Sequence, residues 1–88
     1  MIEPRFVRAV NSTRTYGAHR YDVFGPKVGR RLTLFGRCAL DLWIRLESDA
    51  YVFGYCERPL CIPGTNPARP VDFWVRTPDE ERLCVVLP

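Results

Sequence analysis

No apolar run in this chain approaches the roughly 20 residues of a membrane-spanning helix. Its first residues, Met1-Ile2-Glu3-Pro4-Arg5, lack the basic-then-apolar order of a secretory signal. The expectation is therefore a cytoplasmic protein with no membrane contact, where disulfides are rare. Internal repeats, low-complexity tracts and interdomain linkers are also missing, which leaves one small domain. Histidine is nearly absent: His19 stands alone. The cysteines Cys38, Cys56, Cys61 and Cys84 lack the two closely spaced ligand pairs of a zinc site, since only Cys56 and Cys61 lie near each other. No metal ligand set and no cofactor are expected, and buried free thiols are the plainer reading.

What the chain does have is a core. Apolar residues make up 47% of it, which argues against disorder. Its net charge of +3 is unevenly spread. Residues 1–37 hold eight Lys/Arg against Glu3 and Asp22, a net of +6, while residues 38–88 hold five Arg against eight acids, a net of −3. A basic first half suits an anionic partner. Charge alone leaves a solvated basic face equally open.

Residues 5–10 read as a short strand and Asn11-Ser12-Thr13 as a turn. Residues 21–24 and 31–34 flank Gly25-Pro26-Lys27-Val28-Gly29, the pattern of a hairpin. Over 34–48, Leu34, Phe35, Cys38, Ala39, Leu42, Trp43 and Leu46 recur at the spacing of one helix face. Thr33 is the predicted N-cap. Residues 51–56 have strand propensity. Pro59 belongs at or beyond a strand edge, 60–62 resumes an extended path, and 63–68 is a loop by composition.

A terminal hairpin closes the chain, with strands at 71–76 and 82–88. Val71, Phe73 and Val75 share one face of its first strand, and Asp72, Trp74 and Arg76 the other. Trp43 and Trp74 are expected in the core. The last strand is apolar on both faces, Leu83, Val85 and Leu87 against Cys84 and Val86. That predicts cover from a second copy of the chain or from a further C-terminal segment. The expected fold class is α+β, a mostly antiparallel sheet packed on one main helix. Residues 1–33 form its basic arm and hairpin, and 34–88 the core of one compact domain.

The second half resembles the N-terminal catalytic domain of TnsA-type transposon-end endonucleases, which have the PD-(D/E)XK nuclease plan. Glu47-Ser48-Asp49, Val52, Tyr55, Glu57, Pro59 and Leu60 carry the first part of the resemblance. Asp72, Phe73 and Val75 carry the second. The resemblance implies a partial restriction-endonuclease-like core with Asp72 as the family-matched catalytic acid. It also implies DNA and a transposase-like protein as partners, in a mobile-element setting.

Four departures stand beside it. The family's helical Glu falls near Ala39, with Asp41 the closest acid. Its Gln before Pro is Arg58. Its Thr-Pro before the Asp is Pro70-Val71. Its final Glu and Lys are Val85 and Leu87. Phosphodiester hydrolysis of this type needs a divalent metal held by at least two oxygen ligands, plus help for the attacking water. Asp72 alone does not supply that and reads as vestigial, or as a polar residue paired with Arg58 or Arg76.

The expected function is a non-catalytic, DNA-associated or transposase-partner module. Arg14, Arg20, Lys27, Arg30 and Arg31 are the candidate phosphate contacts, with Tyr16, His19 and Tyr21 among them as stacking candidates. One alternative is an active Mg²⁺-dependent endonuclease that recruits Glu57, Glu80 or Glu81. The other is a protein-interaction domain that works by strand addition at the last strand.

Overall fold

The computed structural model describes residues 6–10, 18–64 and 69–85. The turn expected at 11–13 lies outside them, as do Arg14, Tyr16 and Leu87. Strands β1 (Arg20–Gly25) and β2 (Arg30–Phe35) form the expected antiparallel hairpin, from Arg20 opposite Phe35 to Gly25 opposite Arg30. Gly29 closes its loop at a φ of 67°, where glycine meets no side-chain penalty. Outward positions 20, 22, 24, 31, 33 and 35 alternate with inward Leu32 and Leu34, which are buried.

Helix α1 (Arg37–Ser48) begins later than its apolar spacing predicts. Leu34 and Phe35 remain paired in β2, because an apolar residue at an inward strand position satisfies the helical pattern equally well. Gly36, at φ 90°, breaks the strand and takes the N-cap position assigned to Thr33. The Thr33 hydroxyl donates to Asp22 Oδ1 at 2.9 Å instead. At the other end of the helix the Lys27 ammonium donates to the carbonyls of Leu46, at 2.7 Å, and Asp49. A cation there meets the negative end of the helix dipole and satisfies orphan carbonyls.

Strands β3 (Gly54–Glu57), β4 (Cys61–Ile62), β5 (Arg69–Pro70), β6 (Phe73–Arg76) and β7 (Glu81–Cys84) follow. β3, β6 and β7 make a three-stranded antiparallel sheet in that order, and β4 pairs with β5 alone. The terminal hairpin turns through Thr77, whose N–H donates to the Glu80 carbonyl at 2.9 Å. The fold class is α+β: among the described residues, one helix and four antiparallel ladders in three sheets.

Leu32, Leu34, Leu46, Val52, Tyr55, Phe73 and Val75 form one core. The hairpin thus shares its core with the rest of the chain, and β2 runs across the expected division at 33/34. Residues 6–10 are not a strand. They lie against the sheet, with Phe6 edge-on to Trp74 at 5.6 Å between ring centres and the Val10 N–H donating to the Arg58 carbonyl at 2.8 Å. Trp74 is buried as expected, on the face that Phe6 covers. Trp43 is half-buried, its Nε1 donating to the Tyr55 hydroxyl at 2.8 Å. Among the described residues no helix is long and apolar enough to cross a membrane.

Candidate functional site

The outward face of the β1–β2 hairpin carries Arg20 and Arg31 because the strand pleat places 20, 31, 33 and 35 on one side. Arg58 joins them from the end of β3. Its guanidinium donates to the Thr33 carbonyl at 2.7 Å and lies 5.0 Å above the Phe35 ring, a cation–π contact. Arg58 has a φ of +40°, uncommon for a side-chain-bearing residue. Main-chain bonds hold it there: its N–H donates to the Asp72 carbonyl at 2.9 Å, and its carbonyl accepts from Val10. Burial pulls its pKa below the usual arginine value. Arg8 completes the rim from the segment that crosses the sheet.

These four arginines and Arg30 surround a depression of about 500 Å³ whose carboxylates, among the described residues, are Asp22 and Glu57. Both acids are engaged within the protein. Asp22 accepts from Thr33 and from Arg20 Nε at 3.1 Å, and these contacts hold its carboxyl below the usual range. Glu57, only 3% exposed, accepts from both terminal nitrogens of Arg30, at 2.6 and 2.9 Å. The hydrogen bond to Glu57 raises the Arg30 pKa further, so the guanidinium stays charged. With five cations against two acids, the depression keeps a surplus of three positive charges.

Of the five basic residues singled out in the sequence, Arg20, Arg30 and Arg31 line this depression. Lys27 does not, because its ammonium caps α1. Arg14 is outside the described residues. Arg30 holds Glu57 and forms the floor of the site. Arg8 and Arg58 are additions. Arg58 was signalled by the change from Gln to Arg before Pro59, whereas nothing in the sequence set Arg8 apart.

Asp72 lies elsewhere. Its N–H donates to the Cys84 carbonyl at 3.0 Å, and its charge favours the protonated Arg58. The β6–β7 ladder ends at Phe73 opposite Cys84, so Asp72 lies just beyond its last pair. Glu57 is pinned by Arg30, Glu81 accepts from Trp74 Nε1 at 3.1 Å, and Glu80 accepts from Arg82. Among the described residues no three His, Cys, Asp or Glu side chains converge on a possible metal position. This donor set does not fit the divalent ion that the nuclease plan requires.

The cysteines divide by environment. Cys56 is buried, Cys61 and Cys84 are half-buried, and Cys38 is exposed, against the expectation that all four would be buried thiols. Burial pushes the Cys56 thiol from 9.0 up to about 11. A folded pKa above the unfolded one gives stability that is complete below pH 9 and declines as pH rises toward 11. The urea midpoint should fall between pH 8 and pH 10.5, and the fall should be smaller in Cys56→Ala. Equal falls in the two proteins would remove Cys56 as the cause. At pH 8, iodoacetamide should label Cys38 well before Cys56.

No family model, curated protein or solved structure matches this chain.

Proposed function

We propose that this chain is a non-catalytic, nucleic-acid-associated module that holds a phosphate backbone in the arginine depression. The observation that carries the reading is the surplus of three positive charges around one concave surface whose two acids are already paired. Phosphate neutralisation by arginine supplies most non-specific affinity for nucleic acids. Guanidinium groups also match phosphate oxygens in pairs. The resemblance to TnsA-type endonucleases adds the proposed setting, a mobile element with a transposase-like partner. The order of α1 followed by the β3-β6-β7 meander supports that resemblance, while the mismatch at Asp72 argues for binding without cleavage.

The test is a titration of a labelled 20-base-pair duplex at 50 and 200 mM salt, with and without Mg²⁺. About three phosphate contacts give a log–log slope near −2.7, a loss of about forty-fold in affinity across that step. Arg8→Ala with Arg31→Ala should flatten the slope to about −0.9. Asp72→Asn should bind as the parent does, and Mg²⁺ should produce no nicked strand. Absence of binding to duplex and to single-stranded DNA alike at 50 mM salt, or an unchanged slope in the double variant, overturns the reading.

A second reading rests on β7, an edge strand whose Leu83 is 52% exposed beside an exposed Val85. Such an edge suits strand addition by a second copy of the chain or another protein. It predicts a concentration-dependent oligomer by sedimentation that is dispersed by Leu83→Lys and indifferent to added DNA.

A further inference from the structure

We infer that the ligand of the arginine depression is single-stranded nucleic acid, with one unstacked base received in an aromatic cleft beside it. This rests on the phosphate-binding reading above and adds to it the form of the strand. The cleft has a volume of about 620 Å³, within the roughly 300–1,000 Å³ of sites that hold small organic groups. Phe6, Trp74, Tyr55 and Phe53 line it. Its charged lining residues are Arg76 together with Lys27 and Arg30, which are engaged by the end of α1 and by Glu57.

Two features tie the cleft to the depression. Arg30 lines both, and the segment that contributes Phe6 and Val7 to the cleft contributes Arg8 and Ala9 to the depression. A strand whose phosphates follow the arginines therefore meets aromatic rings one step further on. The surplus of arginine in the depression argues for an anionic strand, and the rings of the cleft argue for one with flat π faces. A nucleotide has both, and stacking tolerates any base. A regular duplex keeps its bases stacked and paired, so it cannot place one in this cleft without losing that energy.

Phe53 is the most useful probe because it is 62% exposed, so its removal should leave the fold intact. Anisotropy titrations of labelled dT20 and of a 20-base-pair duplex, both at 50 mM salt, should show tighter binding of the single strand and quenching of tryptophan fluorescence by it. Phe53→Ala should lose about tenfold on dT20 and nothing on duplex. Phe53→Tyr should restore the dT20 affinity. Arg8→Ala with Arg31→Ala should weaken both ligands.

Three outcomes would count against the inference. Duplex bound as tightly as dT20 overturns it, as does a Phe53→Ala protein that keeps its dT20 affinity while the arginine variant loses it. In both of those cases the phosphate-binding reading stands. If the parent binds neither ligand, both readings fall together.

Discussion

Replacing Arg30 by Ala should cost about 3 kcal/mol in a urea titration, near the lower end for breaking a buried ion pair because the Arg30 side chain is 30% exposed. The effect comes from what the substitution leaves behind. Glu57 sits in β3 opposite Phe73, enclosed by the sheet, and both its oxygens are aimed at the missing guanidinium. Water reaches it poorly, so its desolvation goes unrelieved. A small domain has roughly 5–10 kcal/mol in total, so the loss is a large share.

Two companion variants separate charge from packing. Glu57→Gln placed on the Arg30→Ala background should recover part of the loss, since it removes the stranded charge. Arg30→Lys should fall between Ala and the parent, because an ammonium cannot make the paired contact. If Arg30→Ala melts within about 0.5 kcal/mol of the parent, a margin typical of surface substitutions, the pair is not what holds β2 to β3. Arg30 is also a poor choice for testing nucleic-acid contacts, since its loss would disturb the fold. Arg8 and Arg31 carry that test instead.

Gly25→Ala should cost about 2 kcal/mol through overpacking. Gly25 ends β1 and is buried against the Tyr55 hydroxyl. A methyl group there would overlap that oxygen and stand 3.0 Å from Val28 Cγ2. The oxygen has little room to yield. It donates to Glu47 Oε2 at 2.5 Å, accepts from Trp43 Nε1 at 2.8 Å, and belongs to a ring packed edge-on to Phe73 at 6.0 Å. Burial, and then the Glu47 bond, raise the Tyr55 pKa, so the hydroxyl keeps its proton to donate.

Tyr55→Phe alone should cost about 1–2 kcal/mol by removing the hydroxyl that Trp43 Nε1 and Glu47 Oε2 share, while Glu47 Oε1 keeps its bond from the Lys27 N–H. Together the two substitutions should cost less than the sum of the separate losses, since Phe vacates the space the new methyl needs. Strict additivity in that cycle would show that the strain at Gly25 is relieved elsewhere.

Both hairpins were legible in the sequence because Gly and Pro mark their turns and the apolar alternation marks their faces. The start of α1 was not, since Leu34 and Phe35 satisfy strand and helix patterns alike. Only Gly36 decides between them, through its backbone angles. The exposed Cys38 shows the same limit: helical spacing names a face without saying how wide a stripe the neighbouring strands cover. The candidate site was partly legible. Charge counting found the basic half, and the pleat of β2 was enough to set Arg31 facing outward. Which cations are consumed internally depends on how β2 meets β3 and on where the hairpin loop reaches α1. Sequence spacing carries neither, so Arg30 and Lys27 read as free charges. The resemblance rested on Asp72, and the structure bonds the Asp72 N–H to the Cys84 carbonyl at the end of the β6–β7 ladder.

The segment at 6–10 also bears on the order of folding. Its anchors among the described residues, Trp74 under Phe6 and Arg58 bonded to Val10, lie about 70 and 50 residues further along the chain, so closing it carries more loop entropy than either hairpin. The hairpins and α1 assemble from near neighbours, so this clasp is expected to close last. By the same reasoning it should be the first part to reopen, since among the described residues its anchors are the Val10 backbone hydrogen bond and the Phe6–Trp74 ring contact. Phe6 walls the aromatic cleft and Arg8 the basic depression, so reopening dismantles both sites while the sheet stays whole. The hydrogen-exchange rate of the Val10 amide is therefore a readout of site assembly, separate from global stability, and any ligand that uses both walls must slow it.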